Sequence, residues 1–199
     1  MMHHRIAGQV LLAVGGLLIS FAGGQYAIGA VAQDQARRTW DVARAHSALK
    51  AAHALAHRDG RGAIVNGAPV ARLVIPKIGL DEIVLEGVDE NSMNGGPGHL
   101  PGSSLPGDLG NAIISAHRDR HFRHFDNLGI GDTIHTESGS RDATWVIVSR
   151  RLVGKDAPAL FTTKDATLTL TTCWPIRYLG VAPDRLILIA KPAAGPKPS

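Results

Sequence analysis

The sequence predicts a mainly β domain, a closed barrel or a sandwich, carried behind an apolar N-terminal helix. Short β-branched runs recur between residues 70 and 191, each bounded by Gly, Pro, Asn or Asp, which is the pattern of short strands joined by tight turns. The run Thr167-Leu168-Thr169-Leu170-Thr171 alternates strictly, so its leucines face a core and its threonines face the other way. No charged side chain occurs over residues 6–33, a stretch long enough as a helix to cross a hydrocarbon core of about 30 Å.

Residues 1–33 read as a signal anchor or a signal peptide. Arg5 and the N-terminal amine mark the cytoplasmic end, with Arg37 and Arg38 on the opposite flank. Ala30-Val31-Ala32 also offers the small-residue pattern of a cleavage site. Retention as an anchor is the preferred reading, because the uncharged stretch runs well past a minimal signal region. A retained helix makes a single-pass protein of the cytoplasmic (inner) membrane. Either fate exports the remainder to the extracytoplasmic, periplasmic side.

Residues 34–69 read as an Ala-rich helical stalk and linker, interrupted by Asp59-Gly60-Arg61-Gly62 and Asn66-Gly67-Ala68-Pro69. Within the compact domain, 70–191, strands are expected over 72–75, 83–85, 111–115, 133–136, 144–153, 166–171 and 185–191. A short helix is expected over 122–128, followed by a turn at Gly129-Ile130-Gly131-Asp132. Residues 192–199 form a Pro/Gly/Ala tail that buries little.

The formal charge of +4 comes from 21 basic and 17 acidic residues. They are interspersed without a like-charge run, which argues against a nucleic-acid partner. Cys173 is the one cysteine, which rules out an intrachain disulfide and a multi-cysteine metal site.

A lone thiol reads either as a small buried hydrophobe or as a nucleophile. As a nucleophile it needs a proton partner, which histidine supplies, and a fixed cation or donor for the developing oxyanion, which arginine supplies. His117 follows the run 111–115, Cys173 follows 166–171 and Arg185 opens the last run. Chain order therefore allows the three to meet at one end of a barrel.

The words around these residues resemble a known family. Thr169-Leu170-Thr171-Thr172-Cys173 with Arg185 downstream resembles the TLxTC…R signature of sortases, and Gly110-Asn111-Ala112-Ile113-Ile114-Ser115-Ala116-His117-Arg118-Asp119 is similar to their catalytic-histidine segment. The stretches 96–103 and 125–132 resemble sortase segments in the same order, so the likeness covers about residues 70–191. The strings Thr172-Cys173-Trp174-Pro175 and His117-Arg118-Asp119 are most similar to class D sortases and their proteobacterial relatives. Ser115-Ala116 and Trp174 depart from the common pattern and leave substrate preference open.

The resemblance implies a closed eight-stranded β-barrel with short helices and a cysteine transpeptidase reaction on proteins bearing an LPxTG-like sorting signal. It implies that Cys173 attacks the threonyl carbonyl, that His117 protonates the departing amine and that Arg185 steadies the substrate or its oxyanion. An amine acceptor then resolves the acyl-enzyme, and Thr172 contributes to substrate binding through its hydroxyl or backbone. No cofactor and no metal are implied.

Two other readings stand beside this one. His117, His121 and His124 would share one face of a helix and could then hold a metal. A noncatalytic periplasmic binding barrel could keep the fold without the reaction. A sortase substrate is a further reading, since Leu100-Pro101-Gly102-Ser103-Ser104 loosely echoes a sorting signal, but its mid-domain position favours the enzyme.

Overall fold

The computed structural model describes residues 2–53, 64–139, 141–157 and 162–193; within the long first helix, side chains are described for residues 11–21, 23–24 and 27–44. Eight strands close into one barrel. In chain order they are β1 (Pro69–Ile75), β2 (Leu80–Glu86), β3 (Gly98–His99), β4 (Asn111–Ser115), β5 (Thr133–Ser138), β6 (Arg141–Gly154), β7 (Thr167–Trp174) and β8 (Asp184–Pro192). Their order around the barrel is β1-β2-β3-β4-β7-β8-β6-β5. The pairs β2–β3 and β4–β7 are parallel and the others antiparallel. The barrel expected from the resemblance is thus the observed one, and closure leaves no free sheet edge.

Strand alternation fills the interior. Ala71, Leu73 and Ile75 of β1, Ala112 and Ile114 of β4, Trp145 and Ile147 of β6, Leu168 and Leu170 of β7 and Leu186 and Leu188 of β8 belong to one buried cluster. Trp145 keeps its polar edge satisfied there, its indole N–H donating to Thr136 Oγ1 at 2.8 Å, as a buried Trp requires. The threonines on the outer face of β7 are buried as well. Thr169 donates to Asn111 Oδ1 at 2.8 Å and Thr167 to the Asp165 carbonyl at 3.0 Å, so this face is covered where a two-sided alternation would leave it wet.

The first helix, α1 (Met2–His53), is unbroken. Among the described residues no helix is long and apolar enough to cross a membrane; the side chains of residues 6–10, 22, 25 and 26 in the expected span lie outside them. Beyond residue 28 the helix packs on the barrel, and these contacts take in the first part of the expected helical stalk. Ala36 and Trp40 form a second buried cluster with Ile83 and Leu85, the outward-facing pair of β2. Removing a buried Trp side chain typically costs about 3 to 5 kcal/mol. Gln33 donates to the carbonyls of Ile83 and Gly95 at 3.0 and 2.8 Å and accepts the Ile83 N–H at 3.0 Å. A side chain at Gly96 would collide with that Gln33 amide and with the Ile83 carbonyl. Arg37 and Arg72 both bind Asp81, and Arg44 binds Glu137 and Asp142.

A short helix not expected from the sequence, α2 (Glu90–Gly95), starts on the Asp89 N-cap, whose carboxylate accepts the N–H groups of Asn91 and Ser92. The helix expected over 122–128 shrinks to a 3-10 turn, Phe125–Asn127; Phe125 within it and Phe122 before it stack face to face and are fully buried. Of the expected linker and tail, residues 54–63 and 194–199 lie outside the described residues.

Candidate active site

The outer faces of β4 and β7 make the floor of a pocket of about 380 Å³ that Cys173, His117 and Arg185 all line. Cys173 and Arg185 are direct cross-strand partners on β7 and β8, so their side chains share a face. Both are exposed. Cys173 lies inside β7, one residue before its end, where the sequence placed it just past the strand. The chain leaves β7 through a cis Trp174–Pro175 bond.

His117 reaches the pocket from the turn after β4. Its carbonyl accepts the N–H of Phe122 at 3.1 Å, which ties that turn to the buried Phe122–Phe125 pair. Its Nε2 is buried and, among the described residues, has no hydrogen-bond partner. A ring nitrogen so placed is free to exchange a proton with a group entering the pocket. The apolar lining of the pocket includes Ile113 on its floor, with Val88, Met93 and Leu100 beside it. Met93 comes from α2, so the unexpected helix contributes directly to the pocket. Leu100 follows His99, whose ring is held by Glu86 Oε2 at 2.7 Å and by the Ser104 carbonyl at 2.9 Å.

Thr172 also lines the pocket, but its hydroxyl is engaged elsewhere. Its side chain points to the opposite side of β7 from Cys173, as strand alternation requires, and its hydroxyl donates to the Ala116 carbonyl at 2.7 Å. That donor is committed to a tie between β7 and the residue before His117. The hydroxyl that does share the face of Cys173 belongs to Thr171, which is 5% exposed, lines the pocket and has an unpartnered Oγ1 among the described residues. The period of two along Thr167-Leu168-Thr169-Leu170-Thr171 already carried that signal.

The three histidines do not converge. His121 Nδ1 lies 2.5 Å from Glu82 Oε2, and His124 Nε2 accepts from Arg123 Nε at 3.2 Å. Among the described residues no group of three His, Cys, Asp or Glu side chains could hold a metal ion. The shared helical face on which the metal reading rested is absent, because 117–124 is turn and not helix.

A family model described as the sortase domain matches residues 73–193. Over 121 residues the chain is 36% identical to Sortase D of Bacillus subtilis (strain 168), an alignment covering 60% of this chain and 61% of that protein. The chain therefore spans about three fifths of the length of the curated relative it matches. Among solved structures, a Clostridium perfringens Sortase D5 transpeptidase superposes with a TM-score of 0.66 at 22% identity, covering 84% of this chain and 99% of that one. The catalytic domain of B. anthracis SrtD gives a TM-score of 0.57 at 30% identity over 70% and 97% of the two chains. Clostridium perfringens sortase C with the C-terminal cell wall sorting motif gives 0.59 at 25% identity over 66% and 74%.

Proposed function

The chain belongs to the sortase family, with class D relatives among its matches, and from that premise we propose that it is an extracytoplasmic cysteine transpeptidase acting on a sorting signal of the LPxTG kind. The observation that carries this reading is the placement of Cys173 opposite Arg185 on adjacent strands, in the pocket that the unpartnered His117 Nε2 also lines.

The reaction follows from these positions. The Cys173 thiolate attacks the carbonyl of the acyl donor, forming a C–S bond, and the electron pair moves onto the carbonyl oxygen. The Arg185 guanidinium stabilises that oxyanion. Collapse breaks the C–N bond, and the leaving amine takes its proton from protonated His117. An incoming amine then attacks the thioester and gives a proton to His117; the new C–N bond forms as the C–S bond breaks, and the thiolate is restored. The apolar lining suits an aliphatic donor side chain, and the Thr171 hydroxyl offers the donor peptide a hydrogen bond that no group among the described residues takes.

One solved relative is described with a C-terminal cell wall sorting motif, which supports the same substrate class here. Retention of the N-terminal helix as a membrane anchor is part of the proposal. N-terminal sequencing of the exported protein tests it, and a mature chain beginning at Gln33 would overturn retention while leaving the catalytic reading in place.

The test is turnover of a sorting-peptide library with an amine acceptor by Cys173→Ala and His117→Ala variants. Both should lose transpeptidation while circular dichroism stays as in the parent, since neither side chain belongs to the barrel core. More than a tenth of parental turnover in Cys173→Ala would mean that another group is the nucleophile.

A further inference from the structure

Reactive geometry at this site depends on how the His117 turn is held against β7. On the near side the two are joined twice. Ala116 N–H donates to the Thr171 carbonyl at 3.2 Å, and the Thr172 hydroxyl donates to the Ala116 carbonyl at 2.7 Å. These ties lie immediately before His117 and immediately before Cys173. On the far side, from the residue after His117 to the chain that follows Cys173 and Trp174, one side chain makes the corresponding connection. Arg118 donates through Nη1 to the Pro175 carbonyl at 2.9 Å and through Nη2 to the Gly180 carbonyl at 2.7 Å, and its guanidinium carbon lies 5.6 Å from the Tyr178 ring centroid.

We propose that Arg118 is a positioning residue: it closes a bracket around His117 and Cys173 and so fixes their separation across the pocket. The inference rests on the transpeptidation proposed above. The turn that carries Arg118 is a firm base, because Phe122 and Phe125 anchor it in the core. The loop it grips is a weak one. Ile176 anchors its start in the core, but further on Leu179 and Val181 are 98% and 85% exposed, so the stretch around Gly180 gains little from its own burial and takes its position from outside. A solvated surface arginine would not spend both terminal nitrogens on two carbonyls five residues apart. That use depends on the planar fork and is closed to lysine, a single-point donor. Sequence spacing reinforces the assignment, since His117 is followed at once by the residue that reaches across to the strand end of Cys173.

The experiment compares the full chain with its Arg118→Ala and Arg118→Lys variants in three measurements. The first is steady-state acyl transfer with and without added guanidinium ion; the second is the thermal midpoint; the third is the rate of trypsin cleavage after the exposed Arg177 in the gripped loop. The expected result for Arg118→Ala is a kcat lower by about 10-fold to 100-fold, the scale of a misplaced reacting group. KM should change less, the thermal midpoint should hold, and cleavage after Arg177 should quicken. Guanidinium ion should restore part of kcat in Arg118→Ala, and Arg118→Lys should resemble the alanine variant. A kcat within twofold of the parent in Arg118→Ala overturns the inference, as does a loss that tracks the thermal midpoint and does not respond to guanidinium. Turnover persisting in Cys173→Ala would instead remove the proposed reaction. In that event cleavage after Arg177 decides the matter, and an unchanged rate in Arg118→Ala overturns the bracket.

Discussion

Arg185 stands opposite Cys173, the proposed nucleophile, on the neighbouring strand, yet it is exposed, and the role proposed for it depends on the shape of its head as well as on its charge. Arg185→Lys keeps the charge and loses the fork, so it should slow acyl transfer by about 10²-fold to 10³-fold, the usual cost of one oxyanion contact. Cys173 should still react with a small alkylating agent in that variant, because alkylation needs no oxyanion contact. Parental kinetics in both Arg185→Lys and Arg185→Ala would make it a surface residue and leave Cys173 and His117 alone. At this scale the sequence was legible where chemistry restricts residue type: a lone cysteine, a histidine after a strand and an arginine opening the next. It was less legible where only the facing of a side chain matters. Both threonines line the pocket, but the Thr172 hydroxyl is turned to the Ala116 carbonyl, whereas Thr171 shares the face of Cys173.

Helix α1 is the element whose setting the sequence left most open. Composition alone indicated a helix, but not that Trp40 and Ala36 would meet the outward side chains of β2, because those partners lie some forty residues further on. The ion pairs at this contact make its strength depend on pH. Asp81 is held below the ordinary carboxylate range, chiefly by its hydrogen bonds with Arg72 and also by Arg37, against the opposing effect of burial. A carboxylate whose folded pKa is depressed stabilises the fold fully above its ordinary value of about 3.9 and loses that contribution as pH falls through the lower folded value. Asp89, whose pKa is lowered to about 2 by hydrogen bonds from Asn66 and Ser92, acts in the same window at the cap of α2. The thermal midpoint of the parent should therefore fall as pH drops from about 4 toward 2. Asp81→Asn should start lower at neutral pH and fall less steeply, since only the Asp81 contribution has been removed. Superimposable pH profiles for the two proteins would show that the Asp81 ties do not hold the helix.

Across the whole molecule, barrel closure brings together residues that chain order keeps far apart. Parallel pairing of β4 with β7 sets Ser115 beside Thr171, and antiparallel pairing of β7 with β8 sets Cys173 opposite Arg185. The strand runs and the strict alternation in β7 were readable because burial demands them. The two-residue β3 and the short α2 were not, being too brief to show a period, although Asp89 followed by Glu90 was a helix-start signal. Those two missed elements lie beside the cleft, and α2 supplies Met93 to its apolar lining. The central claim is that this barrel carries out acyl transfer through Cys173. Its most direct test is mass spectrometry of the intact protein after brief exposure to a sorting-peptide library without an amine, followed by addition of the amine. The account predicts an adduct equal in mass to the peptide acyl portion, mapped to Cys173 and discharged by the amine as a peptide–amine product. Product formation with no adduct at Cys173, or an adduct on another residue that the amine discharges equally well, would contradict it.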